Sequence, residues 1–246
     1  MVPAELRDAE RTASKSQQAD GGEFSRKIDS QDEDIGSRAV IRNARELVWY
    51  PSEVDTSIRT GWFYHPEEDT DVRTADELLD IYLDAVGANA SLLLNIPPDT
   101  HGRIAAPDCA SLTELGAKIQ QIFASNVTEK AKITADSSIA QHLITQAVDG
   151  MANTYWQAAY GQESDTITLE FPKPQKVSCV VLGEHLPTGQ RIESGEIWAD
   201  ESKVAEFTVV GHKRICRFTP VDVQTLTIKI TASRTEPTLR LLEVYQ

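Results

Sequence analysis

The stretch Val48–His65 concentrates side chains that could do chemistry. Glu53, Asp55 and Ser57 alternate, so an extended backbone would place all three on one face, with neighbours roughly 6.5 Å apart. Two carboxylates at that spacing could act as an acid and base pair or bind the hydroxyl groups of a polyol. The alternative is an ion-pair network in which Arg59 neutralises both carboxylates.

The aromatic residues of the same stretch favour a sugar ligand. Trp62, Phe63 and Tyr64 follow Gly61 and precede His65. Flat apolar faces beside hydrogen-bonding groups suit carbohydrate, which is itself amphipathic. Packing into a core would occupy two of these three rings and leave one for the ligand.

The elements after this stretch alternate between strand and helix. Thr74–Glu77 has the form of a capping box, the apolar positions that follow it recur at helical spacing, and Gly87 ends the pattern. Ala90–Ile96 is a continuous apolar run, typical of a buried strand. Ser111–Glu114 repeats the capping-box form and predicts the start of a second helix.

This order predicts an α/β fold with parallel strands, in which sites lie on the loops after the strands' carboxyl ends. Glu53–His65 and Asn95–Asp99 both occupy such positions. Two strands and two helices cannot close an eight-stranded barrel, which takes about 250 residues. We therefore expect residues 1 to about 127 to be the tail of a larger domain.

The second half of the chain has a different pattern, with short alternating runs separated by Pro and Gly. Such runs predict an all-β, antiparallel β-sandwich of roughly 115 residues that can fold alone. The predicted strands are Thr166–Phe171, Val177–Leu182, Gly195–Ala199, Glu206–Val210, Arg214–Phe218 and Leu226–Thr231.

Composition restricts the partners. The formal net charge is −14, which argues against nucleic acid or an anionic membrane surface and is compatible with a neutral sugar. No apolar run approaches the roughly 20 residues of a membrane-spanning helix. Cys109, Cys179 and Cys216 are widely spaced and predict neither a disulfide framework nor a zinc site. Residues 1–37 are polar, and Ser14–Ser37 predict loop or solvated helix. The N-terminus contains no visible secretory signal, which leaves the localisation open.

Three ordered motifs carry a family resemblance. They read W-Y-P-S-E-V-D-T-S-I-R-T-G-W-F-Y-H, L-L-L-N-I-P-P-D-T-H-G-R-I and T-E-L-G-A-K-I-Q-Q-I-F-A-S-N. Together they resemble the carboxyl-terminal part of the catalytic barrel of α-L-fucosidases of glycoside hydrolase family 29, most closely the subgroup that prefers α-1,3 and α-1,4 fucosides. The resemblance implies that residues 1–128 are the last strands and helices of a (β/α)8-type barrel.

The resemblance also implies a substrate and a division of roles. The ligand would be a fucosylated oligosaccharide, and Trp62 would line the fucose subsite. The residues that would order the rim of the pocket or contact the rest of the oligosaccharide are Glu53, Asp55, Arg59 and His65. Hydrolysis with retention would require a nucleophilic aspartate and an acid/base glutamate from earlier barrel strands. No part of this chain matches those motifs, so no catalytic residue is assigned, and the missing half would come from the same parent protein or another chain.

Residues 129–246 resemble discoidin-type, galactose-binding-like jelly rolls through A-V-D-G-M-A-N-T-Y-W, L-G-E-H-L-P-T-G-Q-R-I and L-R-L-L-E-V-Y. The resemblance implies a possible structural calcium and no other cofactor. Its ligands would be Asp149, Asn153, Thr154 and Glu243. The alternative is a capped turn with Trp156 in the core.

Two other function classes remain open at this point. In one, the β-sandwich is a carbohydrate-binding module and the first half is a remnant. In the other, the chain is a non-catalytic structural fragment in which the sandwich supports the barrel.

Overall fold

The computed structural model describes Val2–Pro3, Leu47–Val48 and residues 52–246. Strand β1 (Val2–Pro3) pairs antiparallel with β2 (Leu47–Val48). The rest of the loop or helix predicted for residues 1–37 lies outside the described residues, as do the first two aromatic residues of the candidate stretch, Trp49 and Tyr50.

The predicted strand, helix and strand that follow are confirmed. Strand β3 (Glu53–Ser57), helix α1 (Ala75–Val86) and strand β4 (Ser91–Asn95) form a unit in which β3 and β4 are parallel, with Ser57 opposite Asn95. The capping box is present: Glu77 N donates to Thr74 Oγ1 over 3.3 Å, and Thr74 N donates to Glu77 Oε2 over 2.8 Å. Both carboxyl ends of the strands therefore lie at one edge of this sheet.

Helix α2 starts earlier than the sequence pattern predicts. It spans Ala106–Ile122, with Pro107 in its first turn, where a missing N–H costs nothing. Ser111 lies inside the helix, and its Oγ donates to Arg73 O over 2.6 Å instead of capping a helix. The second predicted capping box is therefore wrong. No helix of the described ranges is long and apolar enough to cross a bilayer.

The first part of the chain buries one face of its two-stranded sheet. Its core contains Ile58, Leu78 and Leu115, with Leu94 packed against them. On the other face Glu53 and Asp55 are exposed, and 52% of Leu93 is exposed. The described residues thus leave the second face of this sheet uncovered.

The second part is antiparallel β-structure. Its strands are β5 (Lys132–Ala135), β6 (Trp156–Gln157), β7 (Asp165–Gly183), β8 (Ile192–Ala199), β9 (Ser202–Phe207), β10 (Arg214–Ser233), β11 (Thr238–Leu239) and β12 (Leu241–Tyr245). The six-stranded sheet has the order β12-β7-β10-β8-β9, with β5 also paired to β7, and β6 pairs separately with β11. Short 3-10 helices cover Pro66–Glu68, Thr128–Lys130, Ile144–Ala147 and Leu186–Thr188.

Four of the predicted short strands are halves of two long ones. Thr166–Phe171 and Val177–Leu182 belong to β7, while Arg214–Phe218 and Leu226–Thr231 belong to β10. The pairing of β7 with β10 shifts register between Arg217 and Val221 and again between Val223 and Thr225. Bulges accommodate prolines that the sequence pattern takes as strand ends.

The predicted strand Glu206–Val210 is displaced. Strand β9 ends at Phe207, and Val209 and Val210 are instead buried beyond it. Val209 and Val210 are apolar and buried in an irregular segment. The sequence pattern cannot distinguish them from strand residues, which is why the predicted strand extends too far.

The core of the second part is continuous and draws only on residues from Val127 to Val244. Trp156 lies at its centre, fully buried, and its Nε1 donates to Ser137 O over 3.0 Å. The alternative prediction that Trp156 belongs to the core is therefore confirmed.

Residues 130–246 alone are expected to show one cooperative unfolding transition, because this core closes on itself. Residues 1–127 alone are expected to be insoluble without a partner, because the described residues of this part leave one sheet face uncovered. Differential scanning calorimetry of the two fragments checks both statements. A folded, monomeric 1–127 fragment would contradict the argument that its open face needs a partner.

A small junction joins the two parts. Ile215 N donates to Gly87 O over 3.2 Å, and Lys213 N donates to Asn89 Oδ1 over 3.0 Å. The rings of Phe123 and Tyr245 meet edge to face, with centroids 5.2 Å apart. The turn before β4 is therefore fixed to the start of β10.

Candidate functional site

The loop after β3 is fixed by a polar side chain at the end of β4. Asn95 Nδ2 donates to Ser57 Oγ and to Trp62 O, over 3.1 Å in each case. Ser57 Oγ donates in turn to Gly61 O over 2.7 Å. These bonds hold the backbone on both sides of Trp62 at the carboxyl edge of the sheet.

Two of the three rings on this loop face solvent. The exposed fraction is 50% for Trp62 and 77% for Phe63. Tyr64 packs inward: its ring lies 4.8 Å from Arg59 Cζ, and its hydroxyl donates to Asp69 Oδ2 over 3.5 Å. Packing thus takes one ring, against the two expected from the sequence, and leaves Trp62 and Phe63 available to a ligand.

Arg59 is buried, which contradicts the expected contact with the oligosaccharide and leaves the alternative that Arg59 orders the rim. Its side chain is fully buried, with Nη2 2.8 Å from Asp69 Oδ1 and 3.0 Å from Asp108 Oδ1. Nε donates to Asp108 Oδ2 over 3.1 Å, and Nη1 donates to His65 O over 3.2 Å. Burial alone would lower the pKa of Arg59, but hydrogen bonds to Asp108 and Asp69 raise it above its ordinary value. Arg59 therefore positions the loop.

Glu53 and Asp55 share an exposed face, as their spacing predicts, but their predicted neutralisation by Arg59 is wrong because Arg59 pairs elsewhere. Glu53 starts the strand, so it lies roughly 13 Å from Ser57 at the carboxyl end. Asp55 lies half as far from that end. The side chain of His65 is exposed beyond Trp62. Asp55 is therefore nearer than Glu53 to the strand end that leads into the Trp62 loop.

Sequence reasoning missed the residues that fix this loop. Asn95 is recognisable as a polar residue at the end of an apolar strand, where parallel sheets carry their sites. Asp108 follows Pro107 in the first turn of α2, where the helix dipole favours a carboxylate. Its pairing with Arg59, 49 residues away, has no local sequence signal.

Three of the predicted calcium ligands have hydrogen-bond partners within the protein. Thr154 Oγ1 donates to Asp149 Oδ2 over 2.7 Å, and Met151 N donates to Asp149 Oδ1 over 2.8 Å. Glu243 Oε2 accepts a hydrogen bond from the Tyr245 hydroxyl over 2.9 Å.

The geometry of the Asp149 turn favours the capped turn over the ion. Asn153 is exposed beside it. Within residues 52–246 and the two short described strands, no three His, Cys, Asp or Glu residues group as metal ligands would. A structural calcium held by Asp149, Asn153, Thr154 and Glu243 stays a prediction.

Comparison with known proteins gives the family. Residues 12–121 match the family model described as alpha-L-fucosidase. Alpha-L-fucosidase 1 of Arabidopsis thaliana is 31% identical over 208 residues, which are 80% of this chain and 41% of that protein. The chain spans about two fifths of the length of the curated relatives that it matches.

Solved structures agree with this match. A Bacteroides thetaiotaomicron structure aligns with a TM-score of 0.76 at 29% identity, covering 87% of this chain and 50% of that one. The GH29 fucosidase of Ruminococcus gnavus, solved in complex with fucose, aligns with a TM-score of 0.75 at 28% identity, covering 82% of this chain and 42% of that one. The mostly-β architecture with few helices is thus that of these fucosidases. Residues 12–121 thus match the α-L-fucosidase family, and the R. gnavus relative identifies that family as glycoside hydrolase family 29.

Proposed function

We propose that this chain forms part of the substrate pocket of an α-L-fucosidase that removes terminal α-linked L-fucose from glycans with retention. The observation that carries the proposal is Trp62, half-exposed on a loop that Asn95 fixes at the carboxyl edge of a parallel sheet. The family match and the fucose complex of the R. gnavus relative support the choice of sugar. We infer a preference for α-1,3 and α-1,4 linkages from the motif resemblance alone.

In this proposal residues 1–128 are the carboxyl-terminal part of a (β/α)8-type barrel, and residues 129–246 are a discoidin-like β-sandwich. The parallel β3-α1-β4 unit supports the barrel assignment, because barrels place their sites at the loops after the strands. The uncovered face that carries Asp55 and Leu93 would meet the remaining strands. The antiparallel six-stranded sheet supports the second assignment.

Each residue of the pocket has a distinct part in the proposal. Trp62 packs an apolar ring against the sugar, and Asp55 and His65 offer hydrogen-bonding groups at the rim. Arg59 and Asn95 act indirectly, by holding the loop. The nucleophile and the acid/base, carboxyl groups about 5 to 5.5 Å apart in retaining enzymes, lie outside this chain.

In a complete enzyme that contains this chain, Trp62→Ala is expected to lower kcat/KM for an aryl α-L-fucoside by about ten- to a hundredfold. Loss of one aromatic contact with the sugar removes roughly 1.5 to 3 kcal/mol of binding. The melting temperature is expected to change little, because half of the ring already faces solvent. Steady-state kinetics beside thermal unfolding make the measurement.

Tyr160→Ala is the matched control, because Tyr160 is an exposed aromatic residue of the second part, 77% exposed. Its kcat/KM is expected to stay within twofold of the wild-type value, on the order of the noise of surface substitutions. A Trp62→Ala enzyme with unchanged kinetics and a much lower melting temperature would assign Trp62 to a core and remove the observation on which the proposal depends.

A further inference from the structure

One end of the six-stranded sheet collects positive charge. There β7 ends at Gly183, beside the residues that open β10 and β12. Arg240 N donates to Gly183 O over 2.9 Å, and Arg240 Nη2 donates to His212 O over 3.3 Å. Lys213 follows His212 directly. Arg240 is therefore held next to the turn that carries two further basic residues.

Arg191 reaches the same end from the loop before β8. Its backbone N donates to Glu184 Oε1 over 2.6 Å, which fixes it beside the end of β7. Its guanidinium donates to two backbone carbonyls, from Nη1 to Glu236 O over 2.7 Å and from Nε to Thr188 O over 3.4 Å. Both Arg191 and Arg240 are partly exposed, and within the described residues neither forms an ion pair with a carboxylate.

A partly exposed histidine lies near both arginines. The ring of His185 stacks on Tyr155, with centroids 3.8 Å apart. Burial lowers the pKa of His185, and the charges of His142, Arg191 and Arg240 lower it further. Burial, Arg240 and Lys213 also lower the pKa of His212. The charge of Arg240 therefore acts on both histidines.

The nearby carboxylates do not cancel this potential fully. Glu184 is buried and accepts three backbone N–H groups, those of Arg191, Ile192 and Gly211. Glu236 lies close to Arg191, but its oxygens accept from Gly161 N and Thr235 Oγ1. The positive charges of Arg191, Arg240 and Lys213 therefore outnumber the negative charges of the two glutamates. The like charges within this cluster repel one another, and a bound anion would relieve that repulsion.

We propose that Arg191 and Arg240, with His185 and His212, bind the anionic group of an acidic saccharide, either a sulfate ester or a carboxylate. Planar guanidinium groups match the paired oxygens of both anions. His142 and His185 cover the two faces of the Tyr155 ring, so the ring surface left for the sugar beside the charge is that of the partly exposed His185. The saccharide part of the ligand rests on the proposed function, whereas the preference for an anion rests on the cluster alone.

This site is separate from the Trp62 loop. Asn89, which contacts Lys213, precedes the amino end of β4, and Asn95, which contacts Trp62, lies at the carboxyl end. A five-residue strand separates them by roughly 17 Å. A substitution that abolishes binding at one site is therefore expected to leave binding at the other unchanged.

Nuclear magnetic resonance titrations of the full chain at low ionic strength test the proposal. The probes are galactose 6-sulfate, galacturonate, neutral galactose and inorganic sulfate, and the signals are the ring protons of His185 and His212. We expect saturable binding of an acidic sugar that raises the pKa of both histidines, with no saturation by galactose. Arg240→Gln and Arg191→Gln are each expected to weaken binding about tenfold. A roughly tenfold rise in NaCl concentration should also weaken it.

Arg217→Gln is the matched control, because Arg217 is an exposed arginine of β10 outside the cluster, and its affinity should stay within about twofold of the wild-type value. The tighter of galactose 6-sulfate and galacturonate identifies the anionic group. The proposal would be overturned if galactose or inorganic sulfate bound as tightly as the acidic sugars. It would also be overturned if Arg217→Gln weakened binding as much as Arg191→Gln and Arg240→Gln do. Should Arg240→Gln unfold, Arg191→Gln and the salt dependence still decide. Trp62→Ala should leave this binding unchanged, so loss of fucoside hydrolysis alone would not affect the inference.

Discussion

The 246-residue chain assayed alone is expected to leave an aryl α-L-fucoside unhydrolysed. A retaining glycosidase forms a covalent intermediate on one carboxylate while a second donates and accepts the proton, and removal of both leaves no route to that intermediate. Glu53 and Asp55 do not replace the pair. They lie along one strand with Glu53 at its amino end, away from Trp62.

Fluorimetric detection of the released aryl alcohol, at high protein concentration, is the measurement. Buffer with a heat-denatured sample sets the baseline. Turnover by the pure chain that disappears in Glu53→Gln or Asp55→Asn would show instead that these two residues are the catalytic pair. Their strand spacing of roughly 6.5 Å is wider than the carboxyl spacing of retaining enzymes and at the lower limit for inverting ones. The anomer of the released fucose would then show whether the pair acts by retention or by inversion.

The first part of the fold was largely predictable because its signals are local. The Thr74–Glu77 capping box and the apolar Ala90–Ile96 run each specify an element within a few residues, and both elements are present. The same local rule misplaced the start of α2, because Ser111 has a tertiary partner, Arg73 O, that no short pattern reveals. Local sequence patterns thus predicted the presence of these elements correctly and predicted their first residues less well.

The second part was predictable as antiparallel strands and not as long strands. Pro172, Pro174 and Pro220 interrupt the alternation, so a pattern based on period two divides β7 and β10. Register shifts let one strand continue through those positions, and they depend on the partner strand instead of the local sequence. The exposure of Trp62 agrees with the pocket-lining position that the family resemblance implied for it.

The pairing of Arg59 with the buried Asp108 was beyond such reasoning. Its removal gives the largest stability effect that we expect. Arg59→Met leaves Asp108 buried without its positive partner, at a cost of about 3 to 5 kcal/mol. Asp69 adds little to that cost, because 38% of its side chain is exposed and water can solvate its charge. At roughly 2 to 4 °C per kcal/mol, the melting temperature of the first part should fall by about 6 to 20 °C.

Arg103→Met is the matched control, because Arg103 is an exposed arginine of the same part, and its free energy of unfolding should change by less than about 0.5 kcal/mol. The double variant Arg59→Met, Asp108→Leu separates two causes. If the loss comes from the unpaired carboxylate, the double variant recovers much of it, since an apolar pair can replace a buried ion pair. If the loss comes from the His65 carbonyl and the loop that Arg59 holds, the double variant stays as unstable as the single one. A fall of less than about 2 °C in Arg59→Met would show that the ion pair is solvated and that Arg59 remains available to a ligand.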